Sequence, residues 1–320
     1  MTRPHYSQGA LDAPNRIGAP TADQLRPAGA LALAGVIPHK SKGQNFLVQP
    51  RVADRIVEAA EIASGDDVLE IGPGLGILSE RLAQRPFRHL TLIELDDRLA
   101  TQLRERFADD VRIKVINRDF LIFDPHDLPN LDPSADSPRA PLRVVANLPF
   151  NVAAAILERL CAMHATIARM VLMFQREVAE RIRARTGSSN HGALGVFTSM
   201  YWEVTGHFRV AAGSFHPKPK VDAEVLTFTP RRPMPFAPDE ERAVLATVRA
   251  AFSAPRKTLR NAVGRALVIE SAALEAAFAR AAIDPTARAA TLDVEDFVRL
   301  ARALDWRFDL PRDRESGHDA

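Results

Sequence analysis

Val68-Leu69-Glu70-Ile71-Gly72-Pro73-Gly74-Leu75-Gly76 is the stretch of sequence that decides the fold of this chain. Its first four residues form an apolar run with a single acid, which is typical of a buried strand in a parallel sheet. The glycines and Pro73 predict a tight turn, and the residues from Ile77 to Leu82 follow with helical spacing. A strand, a glycine turn and a helix in this order bring backbone N–H groups close to a cofactor at the edge of a doubly wound sheet.

A second apolar run, from Leu90 to Ile93, ends in Glu94, eighteen residues after Gly76. An acid at the end of the second strand can accept hydrogen bonds from both hydroxyls of a ribose. Glycine turns followed by such an acid serve both NAD and S-adenosylmethionine (SAM). The pattern therefore predicts a nucleotide-type cofactor and leaves the choice between these two open.

The composition limits the class of protein. The chain has 320 residues, 46% hydrophobic and 26% charged, which predicts a globular protein of two domains or of one domain with an appendage. Its single cysteine, Cys161, excludes an internal disulfide and a cysteine-based zinc site, and we interpret it as a small buried residue. The longest apolar runs are too short to span a membrane, and the run from Ala28 to Ile37 follows polar sequence, unlike a signal peptide. We expect a cytoplasmic protein without membrane or metal.

Changes in sequence pattern along the chain predict its domains. Residues 1–39 are rich in Pro, Ala and Gly and are expected to form a disordered extension. Residues 40–230 alternate between strand and helix patterns, which predicts one α/β sheet. Residues 231–308 are rich in Ala, Arg and Leu with helical spacing, which predicts a smaller all-helical domain. Residues 309–320 form a tail.

Local patterns predict several elements of the sheet domain. Pro50 is expected to begin a helix, and Asp96 to cap another. The charged segment from Gln175 to Arg185 predicts a helix, followed by a loop rich in Gly and Ser. Two later strands are predicted from Glu203 to Val210 and from Ala223 to Thr229.

Asn147-Leu148-Pro149-Phe150 follows the fourth predicted strand, where open α/β sheets place their active sites. The Asn147 amide oxygen and a backbone carbonyl beside Pro149 can both accept hydrogen bonds from an exocyclic amine, and Phe150 offers a face on which a base can stack. This set suits methylation of adenine N6, because two acceptors favour the pyramidal nitrogen that attacks a sulfonium methyl without a strong base. Taken alone, the run is also consistent with a simple turn.

Two further residues have a functional and a structural interpretation of similar weight. Asp119, after the third strand, is placed to accept from an adenine amino group of the cofactor, or else caps a turn. Phe215, before a proline-rich segment, offers a second stacking face, or else anchors its loop on the core.

Basic residues are clustered locally, although the net charge is only +2. A single cluster more often forms a solvated face than a nucleic-acid site, but three on one chain with a stacking aromatic favour contacts with nucleic-acid phosphates. The clusters are Arg181, Arg183 and Arg185; Lys218 and Lys220; and Arg256, Lys257 and Arg260.

Six segments, running in family order over nearly the whole chain, resemble the bacterial small-subunit ribosomal RNA adenine dimethyltransferases of the KsgA/RsmA type. They are Gly43-Gln44-Asn45-Phe46-Leu47, Glu70-Ile71-Gly72-Pro73-Gly74-Leu75-Gly76, Ile93-Glu94-Leu95-Asp96, Asn147-Leu148-Pro149-Phe150, the segment from Phe215 to Asp222, and Arg256-Lys257-Thr258-Leu259-Arg260-Asn261. Many relatives have Tyr at the position of Phe150; stacking survives this difference, whereas a hydroxyl contact does not.

The resemblance implies a Rossmann-like SAM-dependent methyltransferase sheet with a smaller all-helical C-terminal domain. It implies SAM as cofactor and dimethylation of N6 of two adjacent adenines in the 3′-terminal hairpin loop of 16S ribosomal RNA. It also implies a monomeric enzyme that acts on the immature small subunit during its biogenesis. The catalytic residues would be Asn147, Leu148, Pro149 and Phe150, and the cofactor residues Asn45, Leu47, Gly72, Glu94, Asp119 and Asn147. Phe150 and Phe215 would hold the target base, and Arg256, Lys257 and Arg260 would contact RNA.

Three alternatives stay open at this level. A non-catalytic assembly factor would bind the immature small subunit without turnover. An enzyme related to the Erm group would methylate large-subunit RNA instead. A NAD oxidoreductase is a more distant interpretation, because no hydride-transfer acid or base accompanies the glycine turn.

Overall fold

A computed structural model of the protein describes residues 45–128 and 140–304. The expected disordered extension, residues 1–39, and the tail, residues 309–320, lie outside the described residues. Within the described ranges, none of the helices combines the length and the apolar character that a membrane span requires.

A seven-stranded sheet with the order β4-β3-β2-β5-β6-β9-β7 forms the centre of the protein. The first five strands in this order are parallel, and β9 and β7 join antiparallel. This is the predicted Rossmann-like α/β architecture. The strands are β2 (Asp67–Ile71), β3 (His89–Glu94), β4 (Ile113–Asn117), β5 (Leu142–Asn147), β6 (Ile167–Gln175), β7 (Trp202–Val210) and β9 (Ala223–Pro230).

Helices cover both faces of the sheet. The central strand β2 is buried along its whole length, and Val68 and Leu69 belong to hydrophobic clusters on opposite faces, which explains why its sequence is a continuous apolar run. The helices are α1 (Pro50–Ala59), α2 (Ile77–Leu82), α3 (Asp97–Arg106), α4 (Ala153–Ala162), α5 (Arg176–Ile182) and α6 (Ala193–Tyr201). Pro50 begins α1 and the Asp96 carboxylate caps α3, both as predicted.

The helix α6 has no counterpart in the sequence prediction, and α5 ends earlier than the predicted charged helix. Seven of the nine residues of α6 are buried, so its sequence shows no polar face from which a helical period could be recognised. Cys161 is buried, as expected, near the end of α4.

A separate two-stranded ribbon joins distant parts of the chain. Its strands are β1 (Phe46–Leu47) and β8 (Phe215–His216), which pair antiparallel. The N–H of Val48 extends the ribbon by donating to the carbonyl of Ser214. The sequence did not predict this pairing, because two-residue strands carry no periodic pattern.

Four C-terminal helices follow the sheet: α7 (Glu241–Phe252), α8 (Leu259–Leu267), α9 (Ser271–Ala281) and α10 (Val294–Ala303). Their buried residues continue the hydrophobic cluster under α4 and α6. Polar bonds fix the junction: the Tyr201 hydroxyl donates to Glu241 Oε1 at 2.5 Å, and Arg231 donates to the Ser199 carbonyl and pairs with Glu295. The helical part is thus packed firmly on the sheet.

Candidate active site

The glycine turn after β2 adopts a backbone that side chains rarely permit. Gly72, Gly74 and Gly76 have φ of +65°, +58° and +83°. A Cβ on Gly74 would lie 3.0 Å from the Phe46 ring, so the turn also packs closely against the ribbon strand β1.

The N–H groups of these glycines are already bonded within the protein. Gly72 donates to the Ile93 carbonyl, Gly74 to Glu94 Oε2, and Gly76 to the Pro73 carbonyl. The turn therefore contributes to the site through its shape and by positioning Glu94, rather than by offering these three donors to a ligand.

Glu94 ends β3 beside the turn and is only 6% exposed. Its two carboxylate oxygens accept from the N–H groups of Gly74 and Asp96, both at 2.9 Å. Burial raises the pKa of this carboxyl, an effect opposed by those N–H bonds and reinforced by the nearby charge of Asp96. Because each oxygen has a further lone pair, the oriented carboxylate retains acceptors for two ligand hydroxyls.

Glu70 is a site residue that sequence reasoning missed. It is 1% exposed, and its Oε2 accepts from the Ser79 hydroxyl at 2.7 Å. Burial raises its pKa to about 8, a shift that the Ser79 bond reduces and the charge of Glu94 increases. The available signal was the single acid in an otherwise apolar buried strand, since an acid there requires a compensating role.

One cleft at the carboxyl edge of the sheet brings the predicted cofactor residues together. It contains Asn45, Leu47, Gly72, Glu94 and Asn147, together with Leu148, Pro149 and Phe150. The cleft is also lined by residues that were not predicted as individual cofactor contacts, namely Phe46, Glu70, Pro73, Gly74, Leu75, Ile77, Leu78, Leu95, Asp96 and Leu99.

Asn147, the last residue of β5, has one satisfied and one unsatisfied polar atom. Its Nδ2 donates to the Asn45 carbonyl at 3.2 Å. Its Oδ1 is buried and accepts no hydrogen bond from the described part of the chain. A buried acceptor without a partner costs about 1–3 kcal/mol, so the site holds a strong acceptor ready for a ligand donor.

Phe150 and Phe215 meet edge to face, with ring centroids 6.2 Å apart and an interplanar angle of 65°. Phe150 is half-buried and lines the cleft, so part of its ring faces the site. Phe215 is only 3% exposed and packs in the core cluster under β8. In this arrangement Phe215 supports Phe150 from behind, as a loop anchor does.

Asp119 is outside the set of residues that line the cleft. Its Oδ1 accepts from the Leu121 N–H at 2.8 Å, which is the turn-capping arrangement. The structure thus shows the structural role that was weighed for this residue.

The basic segment between α7 and α8 is exposed but not uniform. Arg256 and Lys257 make no side-chain hydrogen bond or ion pair with any described residue. Arg260, at the start of α8, pairs with Glu275 of α9, with its Nε 2.5 Å from Oε1. Of these three residues, only Arg256 and Lys257 can therefore bind a ligand without breaking an existing ion pair.

The cleft has the donors and acceptors that a SAM-type cofactor requires. Glu94 offers oriented acceptors for a ribose, and the turn and Leu95 provide apolar surface, Leu95 being 55% exposed. No group of three or more His, Cys, Asp or Glu side chains suited to a metal occurs in residues 45–128 and 140–304.

The sheet order, the glycine turn and this cleft define a SAM-dependent methyltransferase. The chain belongs to the ribosomal RNA adenine dimethylase family, whose model matches residues 38–305. SAM, as in the family, is its cofactor.

Individual relatives agree with the family. A protein of Geobacter metallireducens, "Ribosomal RNA small subunit methyltransferase A", is 38% identical over 271 residues, 84% of this chain and 96% of that protein. A dimethyladenosine transferase from Plasmodium falciparum has a similar fold, with a TM-score of 0.63, 24% identity, and coverage of 79% of this chain and 94% of that one. The 23S rRNA methyltransferase ErmE, at a TM-score of 0.57 and 30% identity, covers 82% of this chain and is itself covered completely.

Proposed function

We propose that this protein dimethylates N6 of two adjacent adenines in the 3′-terminal hairpin loop of 16S ribosomal RNA. The proposed substrate is an immature small subunit in the cytoplasm, and the reaction is part of its biogenesis by a monomeric enzyme. The 38% identical relative named for small-subunit methylation supports this choice of RNA.

The observation that carries the proposal is the unsatisfied Oδ1 of Asn147 beside the half-buried face of Phe150. An adenine stacked on Phe150 would present its exocyclic amine to Asn147. In this scheme the amide oxygen accepts one amine N–H, and a backbone carbonyl beside Pro149 supplies the second acceptor. The carbonyl of Pro149 itself already accepts from the Val152 N–H at 3.1 Å. Both bonds to the amine strengthen as the nitrogen becomes pyramidal, which stabilises the transition state.

The amine needs no strong base in this scheme. Its nitrogen becomes acidic only after it has been alkylated, so its proton can leave to water once the methyl group has moved. Bound SAM supplies the electrophilic methyl on its sulfonium, and we propose that Asn45, Leu47, Gly72 and Glu94 hold it, with Glu94 accepting from the ribose hydroxyls.

We also propose domains for the chain: a methyltransferase domain of residues 40–230 and an RNA-binding helical domain of residues 231–308. Arg256 and Lys257 are the proposed phosphate contacts of the helical domain. Arg260 would join them only by sharing or breaking its pair with Glu275. Asp119 remains a proposed acceptor for the adenine amino group of SAM, through an oxygen other than the Oδ1 that accepts from Leu121. Phe215 is proposed to support Phe150.

The test is methylation of purified small subunits that lack the two modifications, with SAM and the recombinant protein, followed by mass spectrometry of the RNA. We expect two dimethylated adenines, adjacent in the terminal hairpin loop, and formation that is slower by about 10²-fold or more with the Asn147→Ala variant. Binding of the subunits without methyl transfer by the native protein would contradict catalysis and favour an assembly factor.

A second candidate is methylation of large-subunit RNA, which the 30% identity with ErmE over that protein's whole length favours. The same experiment decides between them, because purified large subunits are included as a parallel substrate. Methyl incorporation confined to large-subunit RNA would replace the small-subunit proposal.

A further inference from the structure

The strand ends beside Asn147 form a continuous edge that reaches the far side of the sheet. Asn147 lies opposite Met173 of β6, Gln175 of β6 lies opposite Ala223 of β9, and Ala223 lies opposite Val210 of β7. Three strand spacings of about 4.8 Å separate β5 from β7, which places the end of β7 roughly 14 Å across the edge from Asn147.

Three cations stand on this part of the edge without an acidic partner. Arg209 precedes the last residue of β7, and Lys218 and Lys220 lie in the loop between β8 and β9. All three side chains are exposed, and none forms a hydrogen bond or an ion pair with another described residue. Their charges are therefore free for a ligand.

Two of the acids around these cations have a cationic partner. Glu224 is buried and pairs with Arg183 at 2.8 Å. Glu180 pairs with Arg176 at the start of α5. The Asp222 carboxylate accepts from the Ala212 N–H at 2.9 Å and so closes the loop that contains the two lysines. By formal charge, the three cations outnumber Asp222 and Glu177, which have no cationic partner among the described residues.

The lysine loop is tied directly to the proposed base site. The loop follows directly on β8, whose Phe215 packs on Phe150, and Lys218 and Lys220 stand three and five positions after Phe215. At most about 3.6 Å per residue, their Cα atoms lie within roughly 11 Å and 18 Å of that of Phe215. Pro217 and Pro219 restrict the backbone of this loop. Binding of a ligand to the two lysines therefore costs little backbone conformational entropy.

We propose that Arg209, Lys218 and Lys220 form a track for the phosphates of the single RNA strand that flanks the target adenine. This track, here called the edge track, rests on the proposed function and adds a second RNA-binding surface to that of the helical domain. One end of the track, at Arg209, lies roughly 14 Å from Asn147 across the sheet edge. Cations so close to the base hold the flipped nucleotide in place against its return to the stack.

The test compares two triple variants in binding a single-stranded RNA of about ten nucleotides with two central adenines. The edge variant is Arg209→Ala, Lys218→Ala and Lys220→Ala. The matched control is Arg85→Ala, Arg104→Ala and Lys114→Ala, which removes three exposed cations from the β3–β4 side of the sheet. Thermal midpoint and SAM affinity are measured for both, and we expect both to match the native protein.

The native protein should show the steeper salt dependence. Each phosphate bound on a single strand contributes about 0.7 to the slope of log K against log salt, so the slope of the edge variant should be smaller by up to about 2.1. Between about 50 mM and about 200 mM salt, native binding should then weaken about 18-fold more than binding of the edge variant. The control should retain the native slope, and an edge variant with native slope and affinity overturns the proposal.

Methyl transfer provides the readout that separates this track from a structural role. With saturating SAM, the edge variant should need more RNA for half-maximal single-turnover rate while reaching the native rate at saturation. A slower saturated rate without a change in the RNA requirement would also overturn the proposal. If the native protein binds the RNA through these residues but methylates no ribosomal RNA, the edge track stands and the proposed function fails.

Discussion

Replacing Asn147 with alanine should separate stability from activity. The Oδ1 of Asn147 is buried without a partner in the described part of the chain, and its removal relieves about 1–3 kcal/mol. The bond from Nδ2 to the Asn45 carbonyl is removed as well, at a cost of about 0.5–1.5 kcal/mol. The free energy of unfolding should therefore change by between roughly −0.5 and +2.5 kcal/mol, so that the variant is as stable as the native protein or more stable.

The rate of methyl transfer should fall strongly, although the stability is unchanged or increased. If Oδ1 accepts from the reacting amine, its removal eliminates a bond that strengthens in the transition state, and the rate should fall by about 10²-fold or more. Stability is measured by urea denaturation, and transfer by single-turnover methylation of small subunits with saturating SAM, so that a weaker cofactor affinity does not affect the rate.

Asn117 provides the matched control for stability. It ends the edge strand β4, and its Nδ2 donates to the carbonyls of Glu94 and Leu95 at 2.9 Å and 3.3 Å. Since its amide leaves no orphan acceptor, Asn117→Ala should be less stable by about 1 kcal/mol or more. A normal transfer rate in folded Asn147→Ala refutes the amine-holding role, and a decrease of more than about 2 kcal/mol in its stability refutes the orphan-acceptor reasoning.

Further predictions concern the cofactor, the pH dependence, the base and the RNA. Glu94→Ala should weaken SAM binding by about 1.5–3 kcal/mol in calorimetry, because hydrogen bonds to a charged group are removed. Glu70 has a pKa raised from 4.5 to about 8, so native stability should fall as pH rises between these values, by up to about 1.4 kcal/mol per unit. In urea denaturation at several pH values, Glu70→Gln should lose the part of that slope due to Glu70 and keep the part due to Glu94, whose pKa is also raised by burial. Phe150→Ala should weaken base stacking by about 1–3 kcal/mol and leave calorimetric SAM affinity intact, while Phe150→Tyr stays close to native in single-turnover methylation. Neutralising Arg256 and Lys257 should flatten the salt dependence of small-subunit binding by about 0.7–0.9 for each phosphate that these side chains neutralise.

Each of these predictions has a result that contradicts it. Unchanged SAM affinity in folded Glu94→Ala would remove the ribose assignment. A slope of stability against pH that is as steep in Glu70→Gln as in the native protein would assign the titration to another group. Full RNA turnover in Phe150→Ala would exclude stacking on that ring, and an unaltered salt slope would make Arg256 and Lys257 a solvated surface.

The local parts of the fold could be predicted because their causes are local. The strand β2, the turn and α2 follow from an apolar run, three glycines and a helical period within about sixteen residues. The caps at Pro50 and Asp96 depend on single residues whose chemistry acts within one turn. The helix α6 escaped because burial on nearly all sides removes the amphipathic period.

The parts of the site that escaped prediction depend on contacts between distant residues. No pattern in the sequence shows that Arg260 pairs with Glu275, and none decides between the two interpretations of Asp119, whose carboxylate accepts from the Leu121 N–H. The same holds for Phe215, whose burial results from pairing with Phe46 and Leu47. Family resemblance could bring these segments to one site, but only packing decides which side chains face the cleft.

The pairing of β1 with β8 has a consequence for folding of the chain during its synthesis. Phe46 and its partner His216 are separated by 170 positions, so this contact closes one of the longest loops in the chain. During synthesis, the glycine turn and Glu94 emerge long before β8. Until β8 has emerged, no strand pairs with β1 to hold Phe46 against Gly74. We expect the cofactor cleft to mature late, after the ribosome has added residue 216. A chain whose synthesis stalls earlier would contain the glycine turn and Glu94 but would be unable to retain the cofactor.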